Sequence, residues 1–212
     1  MKADQNIAKT IWGEFMGVGH SKAQQRQIQI VHAALKIIAK EGADRMTFDL
    51  LAKKCKVTRQ LIIHYFPNRE DLLKWGARFV RAHMQQYAVE RLSKHPSSKD
   101  QLIAYTRSTF EWTRENPNYA KFWAYYYYIC GLKKDFQKSN SELVAMGHQR
   151  IFALLEVAYK KGESKIKPSV VNSKLIQNII TAGLLSLTTE NYDDIQKKIE
   201  DWTVQGVLRI AF

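Results

Sequence analysis

With 212 residues the chain can bury a core as one domain or two small ones, and its 45% apolar and 25% charged content is ordinary for a globular protein. The 33 Lys and Arg against 20 Asp and Glu, net +13, are not ordinary; they suit a polyanionic partner through phosphate neutralisation and counterion release. Two distant cysteines, Cys55 and Cys130, argue against a disulfide framework and for a reducing cytosol, and six histidines without ligand spacing argue against a structural zinc.

The opening MKADQNIAKT lacks the apolar core of a signal peptide. The most apolar window, Ile176 to Leu187, is interrupted by Gln177, Asn178, Thr181 and Ser186, too short and too polar to span a bilayer, so no membrane partner is expected. The positive charge is uneven. Residues 1–69 hold 12 Lys/Arg against 5 Asp/Glu, whereas residues 70–212 hold 21 against 15, so net charge per residue is denser in the first third.

In chain order, residues 1–20 form an extension in which Ile7, Ile11, Trp12 and Phe15 share a helical face ahead of Gly17-Val18-Gly19. It reads as a loosely packed segment, with a basic arm reaching nucleic acid as the alternative. Ser21 with Gln24 forms a capping box opening a helix to about Lys40, with Ile28, Val31, Leu35, Ile38 and Ala39 as its stripe and Gly42 as a left-handed stop. Thr47 caps a second helix and Thr58 a third. Pro67-Asn68 breaks the chain before a long helix from about Arg69 to Lys94. Further helices are expected from Lys99 to Glu115, Tyr119 to Cys130 (closed by Gly131), Ser139 to Lys161, Pro168 to Thr189, and Asp193 to the terminus. The fold class is all-α with about nine helices: a three-helix helix-turn-helix unit at 21–68, and a helical bundle for effector binding and dimerisation at 69–212.

The stretch Thr47–Phe66 carries the chemistry. Two short helices joined by a tight turn are a device for laying the second helix in the major groove of duplex DNA. Ala52 falls where the helices cross, and Val57 and Ile62 point back to Phe48, Leu51 and the first helix. Thr58, Arg59, Gln60, Ile63 and His64 remain on the outer face; Arg forks onto guanine, Gln onto adenine, Thr onto phosphate. Lys56 occupies the turn, where a positive φ is usually wanted.

Residues Arg26, Ile30, Ala33-Ala34, Gly42, Thr47, Ala52, Val57-Thr58, Ile62, Tyr65-Phe66, Asn68, Arg69-Glu70 and Leu72-Leu73 together resemble the DNA-binding domain of TetR-type (tetracycline-repressor-like) bacterial transcriptional regulators. The resemblance implies a homodimer whose paired third helices read a pseudo-palindromic operator. Thr47 would meet a phosphate; Thr58, Arg59, Gln60 and Leu61 would lie at the groove floor or edge; Tyr65 and Arg69 would touch the backbone. Two residues depart from the pattern: Lys56 stands where Gly is usual, and Ile63 where Tyr is usual. Lys56 adds a charge that can reach phosphate, and Ile63 cannot hydrogen-bond one, leaving that contact to His64 or Tyr65.

Phe110 to Phe136 concentrates aromatic residues, and four consecutive tyrosines, Tyr125 to Tyr128, cannot all face one core. Some are exposed, at an interface, or lining a cavity. In TetR-like proteins the equivalent helices enclose an effector pocket, which makes Trp112, Trp123, Tyr126, Tyr127 and Phe136 candidates for contacting a small, mostly apolar molecule. By the same resemblance the last two helices are the dimer element, with Ile176, Ile179, Ile180, Gly183, Leu184, Leu187, Ile199, Trp202 and Gly206 as candidates; intramolecular packing is the competing reading. The expected protein is a cytoplasmic, ligand-responsive repressor without cofactor or metal. The alternative is a helical ligand-binding or interaction protein whose helix-turn-helix no longer reads DNA. No Ser/His/Asp or Cys/His arrangement, phosphate loop or carboxylate cluster suggests an enzyme.

Overall fold

A computed structural model describes residues 21–190 and 193–212, so the expectations for residues 1–20 lie outside the described residues. Among these there are nine α-helices and no strand: α1 Lys22–Glu41, α2 Phe48–Cys55, α3 Arg59–Tyr65, α4 Arg69–Leu92, α5 Ser98–Glu115, α6 Pro117–Leu132, α7 Lys134–Lys160, α8 Val170–Thr189 and α9 Asp193–Ala211, with a single 3-10 turn at Ala43–Arg45. The chain forms two compact units. One comprises the described residues through His83 with Asn118–Ser139, the other Met84–Pro117 with Asn140–Phe212.

In the first unit the capping box at α1 is complete: the Gln24 amide donates to Ser21 Oγ at 3.2 Å and the Ser21 amide to Gln24 Oε1 at 3.0 Å. The buried face of α1 is wider than a single stripe, adding Ile30, Ala34 and Ile37 to Val31, Leu35 and Ile38, while Ile28 and Ala39 are only half-buried. The reason is that α1 is covered from more than one side. Beyond α2, it meets α4 at Gly76, where an added Cβ would lie 3.1 Å from Leu35 Cδ2 and 3.3 Å from Phe122 Cζ. Gly42 ends α1 with φ 91° and ψ 159°, a positive-φ extended conformation rather than the left-handed helical one expected. α6 runs through Gly131 to Leu132, because the expected stop residue retains helical geometry there. α7 begins at Lys134, five residues before the expected Ser139, with Asp135 in its first turn and Phe136 buried. The tyrosine run spreads as anticipated: Tyr126 is buried, Tyr125 and Tyr127 are half-buried and Tyr128 is exposed.

The second unit is built on long helices. Ala88, Leu102, Tyr105, Ile151, Leu155, Ile176, Ile180, Val207 and Ala211 form its core, drawn from α4, α5, α7, α8 and α9, and Phe110, Leu187 and Ile199 form a smaller cluster. Ser97 and Ser169 cap α5 and α8 by accepting the Asp100 and Asn172 amides, each at 3.0 Å. Gly162, at φ 72°, turns the chain after α7. Although α8 is long and apolar enough to cross a bilayer by length and composition, its Ile176–Ile180–Leu187 side is occupied by these cores.

Candidate nucleic-acid interface

α2 and α3 are only 8 and 7 residues long, below the length at which a helix persists alone, so their ends must be held. Thr47 Oγ1 accepts the Leu50 amide and Thr58 Oγ1 the Leu61 amide, both at 3.2 Å. Between them Lys56 adopts φ 55° and ψ 47°, the left-handed conformation. The Val57 amide reaches back to Ala52 O at 3.0 Å and the Lys56 amide to Lys53 O at 3.3 Å, the paired bonds of a Schellman ending. The turn that the family pattern normally gives to glycine is thus made by lysine with its hydrogen bonds intact. It leaves the Lys56 side chain exposed.

Ile62 and Phe66, buried, anchor α3 inward, with Phe66 edge-on to Trp75 at 5.8 Å between centroids. With that side fixed, Thr58, Arg59, Gln60 and His64 are exposed, while Leu61, Ile63 and Tyr65 are half-buried at the margins. His64 leans against Tyr65, rings 5.3 Å apart, so the two polar groups nearest Ile63 lie together. Arg59 Nε sits 3.4 Å from Asp49 Oδ1 on α2. Asp49, an acidic residue in the first turn of α2, was not singled out by sequence; its spacing to Arg59 across the turn becomes visible only once both helices are placed.

Two arginines among the DNA-binding candidates, Arg26 and Arg69, make hydrogen bonds within the chain. Arg69, half-buried, donates from Nη2 to the carbonyl of Ala43, so its guanidinium ties the start of α4 to the 3-10 turn. Arg26, also half-buried, donates from Nη1 to Gln29 Oε1 at 2.7 Å. Asn68, unremarked as a cap by sequence, accepts the Asp71 amide at 2.9 Å and donates back to Asp71 Oδ2 at 2.8 Å. The Cys55 and Cys130 thiols are buried and not disulfide-bonded, and burial pushes both above the usual thiol range, which suits neither redox nor ligand chemistry.

Residues 30–74 match the family model of bacterial regulatory proteins of the tetR family. The helix-turn-helix segment is of the TetR type. The whole chain also has the TetR fold. It superposes on a TetR-family transcriptional regulator from Rhodococcus sp. with a TM-score of 0.77 at 14% identity, covering 89% of this chain and 100% of that one. A TetR transcription regulator from Haloarcula marismortui gives 0.75 at 11% identity, covering 88% and 96%. The fatty acid degradation regulator FadR of Bacillus halodurans gives 0.67 at 17%, covering 84% and 98%. A sequence search among curated proteins gives no match.

The remaining candidates are placed as follows. Trp123, Tyr126 and Phe136 are buried together in the first unit, Tyr126 stacked on Trp123 at 5.7 Å and tilted against Phe136 at 5.7 Å, while half-buried Tyr127 meets Trp123 edge-on. Trp112 is fully buried on α5. Ile176, Ile180, Gly183, Leu184, Leu187 and Ile199 are buried within the chain's own packing. Ile179 and Gly206 are half-buried, and a Cβ added at Gly206 would lie 3.7 Å from Ile179 Cγ2. Trp202 alone of the set is prominently exposed, at 64%, and Val171 (64%) and Leu175 (46%) add exposed apolar surface on α8.

Proposed function

We propose that the protein is a dimeric transcriptional regulator, a repressor that binds a pseudo-palindromic operator through paired α3 helices and is released by a small, mostly apolar effector. The observation that carries the reading is the division of α3, with Ile62 sealed inward and Thr58, Arg59, Gln60 and His64 outward on a helix held by Thr58 and the Lys56 turn. Those outward groups are the donors and acceptors that base edges and phosphates require. The alternative, a helix-turn-helix that no longer reads DNA, rests on Lys56 and Ile63; the intact turn at Lys56 and the His64–Tyr65 pair beside Ile63 favour the reading form. Val171, Leu175 and Trp202 are the dimer surface in this reading, and Trp123, Tyr126, Tyr127 and Phe136 the effector-facing aromatics. Effector binding would shift the population of α4 orientations and with it the spacing of the two reading helices.

Selection of bound sequences from random duplex DNA tests this directly. The expected product is an inverted repeat whose half-sites lie about one helical turn, roughly 34 Å, apart. Recovery of no enriched sequence, with binding that depends on salt alone, overturns the reading.

A further inference from the structure

Thr47–Phe66 holds four Lys and Arg and a single acidic residue, Asp49. Its one arginine is Arg59, and the two meet across the turn, Arg59 Nε 3.4 Å from Asp49 Oδ1. They lie ten residues apart on different helices, so the crossing of α2 and α3 sets the contact, and the Thr47 and Thr58 caps and the Lys56 turn hold it. As a stabiliser the pair is negligible. The Asp49 and Arg59 side chains are 79% and 56% exposed, and exposed ion pairs contribute little to folding. Facing a polyanion the carboxylate is a cost, because it repels the phosphates that the neighbouring lysines attract. A first-turn acid suits the helix dipole wherever it points. This one stands beside the motif's only arginine.

The atom that is paired matters. Engaging Nε turns that edge of the guanidinium toward Asp49 and leaves the two Nη groups to form the fork that guanine O6 and N7 accept. An arginine with no partner at an exposed helix start samples many rotamers and loses that freedom on binding, a cost that pre-organisation removes. Pairing also lowers the gain from swinging to a phosphate, which every sequence offers. We propose that Asp49 is a positioning residue, holding the Arg59 fork in register for guanine and so fixing one base pair of each half-site. The proposal rests on α3 being the helix that contacts DNA and deepens that reading. It names the base that one side chain selects and the α2 residue that makes the selection sharp.

The test compares sequences selected from random duplex DNA by the full-length wild type, Arg59→Ala, Asp49→Asn, Asp49→Glu and the Asp49→Asn/Arg59→Ala double variant. Arg59→Ala is expected to lose a guanine preference of about tenfold at one position per half-site, which locates the base pair. Asp49→Asn is expected to relax the preference at that same position about fivefold, the cost of re-ordering one long side chain. The other positions should keep their preferences. DNA of unrelated sequence should bind Asp49→Asn as tightly as the wild type or more tightly, since a negative charge has gone. Asp49→Glu restores the carboxylate and is expected to recover part of the preference, and the double variant should relax no further than Arg59→Ala. Urea denaturation of each variant checks the fold; a dipole role alone predicts a small loss of stability with base preferences unmoved. Relaxation at a different position, uniform weakening at every position, or additive loss in the double variant overturns the proposal. An inverted repeat selected equally well by the wild type and Asp49→Asn overturns the positioning role and leaves DNA reading standing. A wild type that enriches nothing overturns both.

Discussion

The α1–α3 head and the α8–α9 pair solve opposite problems. In the head, α2 and α3 are too short to be stable alone; hydroxyl caps at Thr47 and Thr58 and a left-handed lysine hold them, and the side chains left outside are polar. α8 and α9 are 20 and 19 residues long and are held by contact, so close at Gly183 that a Cβ there would lie 2.5 Å from Thr203 Oγ1 and 2.8 Å from Phe110 Cζ. What they leave outside includes Val171, Leu175 and Trp202. A surface that reads a polar lattice must fix its donors through backbone hydrogen bonds and cannot use apolar cover to do so. A surface built for burial has no such restriction, and backbone proximity does the fixing.

The largest expected effect follows from that proximity. Gly183→Ala is expected to destabilise the fold by about 3 kcal/mol, the upper end for overpacking, because the Thr203 hydroxyl can rotate away while the fully buried Phe110 ring cannot. The gain from replacing a helical glycine, about 1 kcal/mol, does not offset this. Chemical denaturation measures it; a neutral result would mean that the Phe110 ring of α5 gives way and that Gly183 is not tightly enclosed. Next in size, Trp202→Arg is expected to leave folding intact and weaken dimerisation by about 2 kcal/mol, near 30-fold in Kd, read by sedimentation equilibrium. An unchanged association constant would remove Trp202 from the interface and with it the contrast between an assembling pair and a reading head.

The same contrast explains what could be read in advance. In the head, residue identities are dictated by geometry at single positions: a cap at Thr47, a cap at Thr58, a small residue at Ala52, a positive φ at Lys56. Each leaves a mark in the sequence at fixed spacing, and all four lie where the spacing put them. In α8, Ile176, Ile180, Leu184 and Leu187 are apolar either for a core or for an interface, and hydropathy is the same in both cases; only the fold shows that the core claims them. The aromatic run was legible as a mixture of buried and exposed rings, but which tyrosine went where depends on the rotation of α6. The Asp49–Arg59 pair left no mark at all. An aspartate and an arginine ten residues apart are ordinary until the turn between their helices brings them together.

Lys56→Gly sharpens the head's side of the comparison. Relief of a non-glycine left-handed residue is expected to stabilise the protein by about 1 kcal/mol. Loss of an exposed charge at the turn is expected to lower the salt slope of DNA binding by about one. The two readouts are independent: a stability gain with an unchanged slope would show that the lysine reaches no phosphate and that the strain has no compensation in binding.

The smallest effect concerns protons. On α1 the His32 ring shares a hydrogen bond with the Tyr119 hydroxyl, Oη to Nδ1 2.5 Å, and packs edge-on to Phe79 at 4.9 Å. Burial pushes the Tyr119 hydroxyl up to about 12, so it keeps its proton throughout the range in which an imidazole titrates. Burial first, and the charge of His83 second, hold the His32 imidazole below its ordinary value. The unfolded chain therefore takes up a proton near pH 6.5 while the folded one resists, and stability follows the state that binds fewer protons. It is full above about pH 6.5 and falls as the pH drops through that value toward the folded-state pKa. His32→Asn is expected to flatten this acid limb in urea denaturation at a series of pH values, whereas a limb of the same slope would place the proton elsewhere. Because α8 and α9 contain no histidine, amide exchange at mildly acid pH should show the weakening in α1 and α6 before the helix pair. Equal loss of protection in both would mean that the two regions open together, and that the head has no stability of its own to lose.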